Sequence, residues 1–172
     1  MTDSGVGANA KPPASVLFVC LGNICRSPLA EGNFRQHLEE AGLTEEIRVD
    51  SAGTGAWHVG GAPDPRSIET AARHGLDITG QRARKVRDAD FGDFEMILAM
   101  DRSNRDTLLA RAPASSRDRI HLFMDLSLGL ARDVPDPYYG QGDGFEAVYR
   151  MLVEGSSALV EKLVAGRRSL SG

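Results

Sequence analysis

The sequence predicts an α/β fold, a single three-layer domain in which a four-stranded parallel sheet carries helices on both faces. Four short strand-like segments, Ser15 to Val19, Ile47 to Ser51, Phe94 to Met100 and Ile120 to Met124, alternate with segments that read as helices. That is the order of βαβ units. The first run shows no polar alternation, as a strand does when both its faces are covered. At 172 residues, 41% hydrophobic and 26% charged, the chain can bury roughly two-thirds of its unfolded surface around one core.

Met1 to Ala14 is small and polar and contains Pro12-Pro13, so residues 1–14 read as a flexible leader. After the first strand, Ser27 offers an N-cap and Pro28 a first helical residue, with Ala30, Phe34, Leu38 and Ala41 on one face up to Gly42. The second strand is followed by a helix over Pro65 to His74. The third leads into a helix over Arg102 to Arg111. Ile120 to Met124 is the fourth strand, and a last long helix follows "GQGDG" with Phe145, Val148, Tyr149, Leu152, Leu159 and Leu163 on one face. The domain is thus placed at residues 15–166, with 167–172 as a flexible tail.

A net charge of −4 gives no bulk attraction to nucleic acid or to an anionic membrane. No apolar run approaches the roughly 18 residues of a membrane span, and the N-terminal segment lacks the apolar stretch of a signal peptide. The chain reads as cytoplasmic, with neither nucleic acid nor membrane as partner. The two cysteines, Cys20 and Cys25, then read as reduced and chemically employed. Alone they cannot complete a zinc site, and His37, His58, His74 and His121 show no pairing at ligand spacing. Neither metal nor cofactor is expected.

Ligands in such sheets sit beyond the carboxyl ends of the strands, which puts "CLGNICRS", Cys20 to Ser27, at the natural site. Gly22 and Asn23 are the residue types that most readily take positive φ, letting successive backbone N–H groups curl around an anion. The positive end of the following helix points into the same concavity. Arg26 adds a planar fork suited to two phosphate oxygens. In this electropositive nest the thiolate of Cys20 is favoured, and thiolate is the nucleophile for a bound phosphoryl group. A cysteine at a strand end is also a common small core residue.

The stretch "VLFVCLGNICRSPLAE" resembles the phosphate-binding loop of the low-molecular-weight protein tyrosine phosphatases, and "DVPDPYYG", Asp133 to Gly140, resembles that family's general-acid loop. The similarity extends through "VDSAGTGAWHVGGAPDPR", "HGLDITGQRAR", "DFEMILAMDRSN" and the last helix. The resemblance implies Cys20 as nucleophile, Arg26 as phosphate clamp and Asp136 as general acid, with Leu21, Gly22, Asn23, Ile24, Cys25, Arg26 and Ser27 around the phosphate. It implies that Ser27 stabilises the thiolate, and that Ser51 and His74 brace a strained Asn23 from behind. Trp57, Tyr138 and Tyr139 become the walls of a slot for an aromatic ring, although Trp57 alone reads equally as core and Asp136-Pro137 as a plain turn. The implied partners are phosphotyrosine-containing proteins, with phosphate or other oxyanions as ligands.

Cys25, five residues beyond Cys20, is close enough along the chain for a protective disulfide when Cys20 is oxidised, or else it packs beneath the loop. Three other functions compete. An arsenate reductase needs a further downstream cysteine, and none follows Cys25. Arginine phosphatases of the same superfamily tend to carry Thr where Ile24 stands and have a less aromatic acid loop. A non-catalytic phosphotyrosine-binding module has no need of Cys20, Arg26 and Asp136 together.

Overall fold

The computed structural model describes residues 15–140 and 143–171. The residues read as a leader lie outside these. The chain forms β1 (Ser15–Cys20), α1 (Arg26–Glu40), β2 (Arg48–Gly53), α2 (Pro65–Arg73), a short α3 (Asp90–Asp93), β3 (Met96–Ala99), α4 (Arg102–Arg111), β4 (Ile120–Leu122), α5 (Phe123–Leu128) and α6 (Gly144–Ser171). Single 3-10 segments, Ala114–Arg119 and Pro137–Tyr139, precede β4 and α6.

The four strands pair in parallel in the order β2-β1-β3-β4. Every residue of β1 is buried, because side chains alternate across a sheet that is covered on both faces. Val16, Phe18 and Cys20 join the core beneath α1, α5 and α6, where Phe18 meets the rings of Phe34 and Phe123 edge-on at 5.4 and 5.9 Å. Leu17 and Val19 face the other way, into a second core with Phe91, Phe94 and Leu108 of α4. The expected three layers follow directly from this division. Chain direction across the sheet reverses between β1 and β3, which opens the crevice at the carboxyl end of β1.

Several element boundaries depart from the sequence reading. The helix after β1 begins at Arg26 with Cys25 at its N-cap, and no side chain caps it; the Ser27 hydroxyl is engaged with Cys20 instead. Phe123 and Met124 belong to α5 and not to β4, since their burial serves the α6 core and needs no extended backbone. The chain is helical through Ser171, across the stretch read as a tail, which contains no proline to stop it. The short α3 had no periodicity long enough to reveal it.

Candidate active site

The loop between β1 and α1 is pinned at close range by the end of β2. In the register of the sheet Cys20 lies opposite Gly53, and the N–H groups of Thr54 and Gly55 donate to the carbonyls of Cys20 and Leu21, both at 2.9 Å. A Cβ on Gly53 would stand 2.8 Å from the Leu21 carbonyl oxygen, so only glycine permits this approach. Asn23, with φ 58°, is the one non-glycine residue of positive φ among the described residues. Gly22, expected to share that conformation, does not. Its missing side chain makes room for the His58 ring, which a Cβ would meet at 3.1 Å.

Cys20 Sγ lies at the amino end of α1, 3.5 Å from the Ser27 N–H and 3.0 Å from its hydroxyl. The Asn23 amide donates to Ser27 Oγ at 2.8 Å and to Ser51 Oγ at 3.0 Å. Because Ser27 Oγ accepts from Asn23, its proton is free for the sulfur. Ser51 in turn donates to Glu31 Oε1 at 2.7 Å, and burial pushes the Glu31 carboxyl above its ordinary value despite that bond and the Arg35 partner. A directed chain of hydrogen bonds therefore backs the thiol.

Arg26 is 2% exposed and is divided in use. Its NH1 is committed to Asp101 Oδ2 at 2.6 Å and to the Val134 carbonyl at 2.9 Å. Its buried Nε has no protein partner among the described residues, and NH2 stands 3.6 Å from Asp136 Oδ2. Burial works against the cation, but Cys20, Asp101 and Asp136 outweigh it and hold the guanidinium above its ordinary pKa. The Nε–NH2 edge is thus a charged fork whose Nε is unpartnered and whose NH2 faces Asp136.

Cys20, Leu21, Gly22, Ile24, Cys25 and Arg26 floor a cavity of about 390 Å³. Trp57, His58, Asp136, Tyr138 and Tyr139 wall it. Trp57 is 73% exposed and Tyr139 80%, so Trp57 is not core. Cys25 is buried beneath the loop with Ile24, Ala83 and Phe145; burial first, then Asp64, Cys20 and Asp136, pushes its thiol up to about 12. Both cysteines are free thiols.

The structure brings together the expected Cys20–Ser27 loop, Ser51, Asp136 and the three aromatic residues. It does not bring His74. That ring stacks on Tyr149 at 4.3 Å and bonds Glu146 at 2.7 Å, because α2 ends just before it and turns it toward α6. Asn23 is braced instead by Ser51 at 3.0 Å and by the Arg84 N–H, which donates to its side-chain carbonyl at 2.9 Å. His58, given no role by its sequence context, lines the cavity. Asp101, the N-cap of α4, gave no sign in the sequence of its pairing with Arg26, 75 residues away. The same holds for Arg84, Asp64 and Arg66, which tie distant segments to the loop.

A thiol at a helix amino end, beside the buried Arg26 guanidinium and sharing an aromatic-walled cavity with a carboxylate, is built for cysteine-dependent phosphoryl transfer. The comparisons with known proteins agree. The family model described as low molecular weight phosphotyrosine protein phosphatase matches residues 15–169. The "Low molecular weight phosphotyrosine protein phosphatase" of Schizosaccharomyces pombe is 47% identical over 150 residues, covering 86% of this chain and 96% of that one. A crystal structure of a protein tyrosine phosphatase from Entamoeba histolytica, with Hepes in its active site, superposes with a TM-score of 0.84 at 38% identity, covering 89% of this chain and 98% of that one. The YwlE arginine phosphatase superposes with a TM-score of 0.82 at 26% identity, covering 90% and 98%. This chain belongs to the low molecular weight phosphotyrosine protein phosphatase family.

Proposed function

We propose that the protein hydrolyses phosphotyrosine in proteins through a cysteinyl-phosphate intermediate. In the first step the Cys20 thiolate attacks phosphorus, the bond from phosphorus to the phenolic oxygen breaks, and Asp136 gives its proton to that oxygen. Proton donation counts here because the leaving phenol has a pKa of about 10. In the second step the Asp136 carboxylate takes a proton from water, the water oxygen bonds phosphorus, and the sulfur–phosphorus bond breaks to return thiolate and phosphate. The loop N–H groups and the Nε–NH2 edge of Arg26 hold the equatorial oxygens throughout. Ser27 donates to the sulfur as it leaves.

The observation that carries this reading is the divided use of Arg26: one nitrogen locked by Asp101 and Val134, the other edge left for an oxyanion beside Asp136 and Cys20. The aromatic walls favour a phosphorylated ring over a phosphorylated guanidine, and the identities of 47% and 38% to proteins named as tyrosine phosphatases exceed the 26% to the arginine phosphatase.

Matched peptides carrying phosphotyrosine or phosphoarginine test the assignment. The expected kcat/KM is higher on phosphotyrosine by at least about 100-fold, a difference of nearly 3 kcal/mol in transition-state binding. Cys20→Ser should abolish turnover while retaining phosphate binding. A preference for phosphoarginine, or turnover by Cys20→Ser near the wild-type rate, overturns the reading.

A further inference from the structure

Asp136 lies on a strap held firmly on one side only. Before it, the Val134 N–H donates to the Met100 carbonyl at 2.8 Å and the Val134 carbonyl accepts from Arg26 at 2.9 Å. The Asp133 carboxylate also accepts the Arg102 N–H at 3.1 Å. After it, the bonds are internal: Tyr138 N–H to Asp136 Oδ1 at 3.0 Å and Gly140 N–H to the Pro137 carbonyl at 3.1 Å. Among the described residues, one hydrogen bond reaches the segment 136–140 from outside. It runs from Arg66 NH1 to the Tyr138 carbonyl at 3.3 Å.

Arg66 is itself held as a rigid plane. Its Nε and NH2 form a two-point bond to the Asp64 carboxylate at 3.0 and 2.9 Å. Its guanidinium lies over the Phe145 ring at 4.7 Å and near the Tyr138 ring at 5.3 Å. The Asp64 N–H donates to the Ile24 carbonyl at 2.8 Å, so the base of this clamp is the phosphate loop. A path of four residues, Ile24, Asp64, Arg66 and Tyr138, thus links the floor of the cavity to the wall beside Asp136.

We infer that Arg66 is a positioning residue for Asp136, fixing the far side of the acid strap to the phosphate loop so that the carboxyl meets the leaving oxygen; the inference rests on Asp136 being the general acid. A proton donor has to stand within about 2.6–3.2 Å of the atom it protonates, and a misplacement of about 1 Å costs as much as 100-fold in rate. Lysine cannot replace this arginine, because one ammonium cannot bond both Asp64 oxygens, reach the Tyr138 carbonyl and stand over the Phe145 ring at once.

The test is a double-mutant cycle on a phosphotyrosine peptide, with wild type, Arg66→Ala, Asp136→Ala and the double variant. Arg66→Ala should lower kcat by about 10-fold in the wild-type background and by less than about 2-fold in the Asp136→Ala background. Inhibition by inorganic phosphate should stay within about 2-fold, because the loop N–H groups and Arg26 are untouched. Arg66→Lys should fail to rescue kcat. Equal losses in both backgrounds overturn the inference, as does a loss of phosphate affinity that matches the loss of kcat. Should Arg66→Ala fail to fold, Arg66→Gln is read in the same cycle. If Asp136→Ala slows phosphotyrosine and an activated nitrophenyl ester equally, the general-acid reading falls and this inference with it. If Asp136→Ala affects phosphotyrosine more and the cycle is additive, only the role of Arg66 falls.

Discussion

The side-chain carbonyl of Asn23 accepts the backbone N–H of Arg84 at 2.9 Å, joining the phosphate loop to a segment 61 residues further along the chain. The same side chain donates to Ser27 and to Ser51, so one amide closes three bonds around a backbone of positive φ. That conformation costs about 1–2 kcal/mol for an ordinary residue. It persists because the bonds over-determine it.

Asn23→Ala should therefore damage two properties at once. Loss of the bonds together with the unfavourable φ should cost about 2–3 kcal/mol of stability. A loosened nest should lower kcat by about 10-fold or more. Denaturant unfolding and steady-state kinetics read the two effects separately. An Asn23→Ala enzyme with wild-type kcat would show that the loop keeps its shape without this amide.

Arg84 is in turn fixed between Asp50 and the fully buried Asp90, at 3.0 and 2.9 Å. Burial pushes the Asp90 carboxyl up, but the bonds from Arg84 and from the Arg87 N–H prevail and hold it below its ordinary value. A depressed carboxyl contributes stability that is complete above the unfolded pKa, about 4, and is lost as pH falls through the lower folded value. Asp90→Asn should accordingly be less stable than wild type by about 3 kcal/mol at pH 7. The gap should hold down to about pH 5 and narrow below about pH 4. Urea unfolding across that range measures it, and a gap that widens on acidification contradicts the assignment.

The general-acid role proposed for Asp136 has its own signature. Asp136→Ala should slow phosphotyrosine by about 100-fold or more. The loss should shrink for a nitrophenyl ester, whose leaving oxygen needs no proton. A plot of log kcat/KM, which reports the step that expels the leaving group, against leaving-group pKa should be shallow for the wild type and steep for the variant. Parallel plots assign Asp136 to something other than proton transfer.

What the sequence disclosed and what it hid divide along physical lines. β1, α4 and the loop between β1 and α1 were legible because their signals are local: an apolar run, a helical period, a cysteine followed by Gly-Asn and an arginine. Asp101, Arg84 and Arg66 were not, because each acts through a partner distant in sequence, and a charged residue bound for a distant partner looks like one bound for solvent. His74 misled for the same reason. It sits where a histidine near the loop was expected, yet only the direction of α2's last turn decides that it meets Tyr149. Ser27 misled in the opposite way, since Ser-Pro is a strong capping signal, but the sulfur beside it was the better partner.

The final prediction concerns Cys25. Its thiol, pushed up to about 12 by burial and by the Asp64, Cys20 and Asp136 charges, is protonated at neutral pH, so an alkylating reagent should label Cys20 first and leave Cys25 intact. Peroxide changes the situation. It oxidises the Cys20 thiolate to a sulfenic acid with release of hydroxide, which removes one of the charges that hold the Cys25 proton in place. The Cys25 sulfur can then attack the sulfenic sulfur, forming a disulfide and releasing water. Wild type inactivated by peroxide should regain most of its activity with a thiol reductant, and mass spectrometry should find Cys20 joined to Cys25. Cys25→Ser should keep substantial activity before oxidation and recover far less after it, with Cys20 accumulating as sulfinic or sulfonic acid. Equal recovery by the two proteins after matched inactivation removes the redox role and leaves Cys25 as packing among Ile24, Ala83 and Phe145.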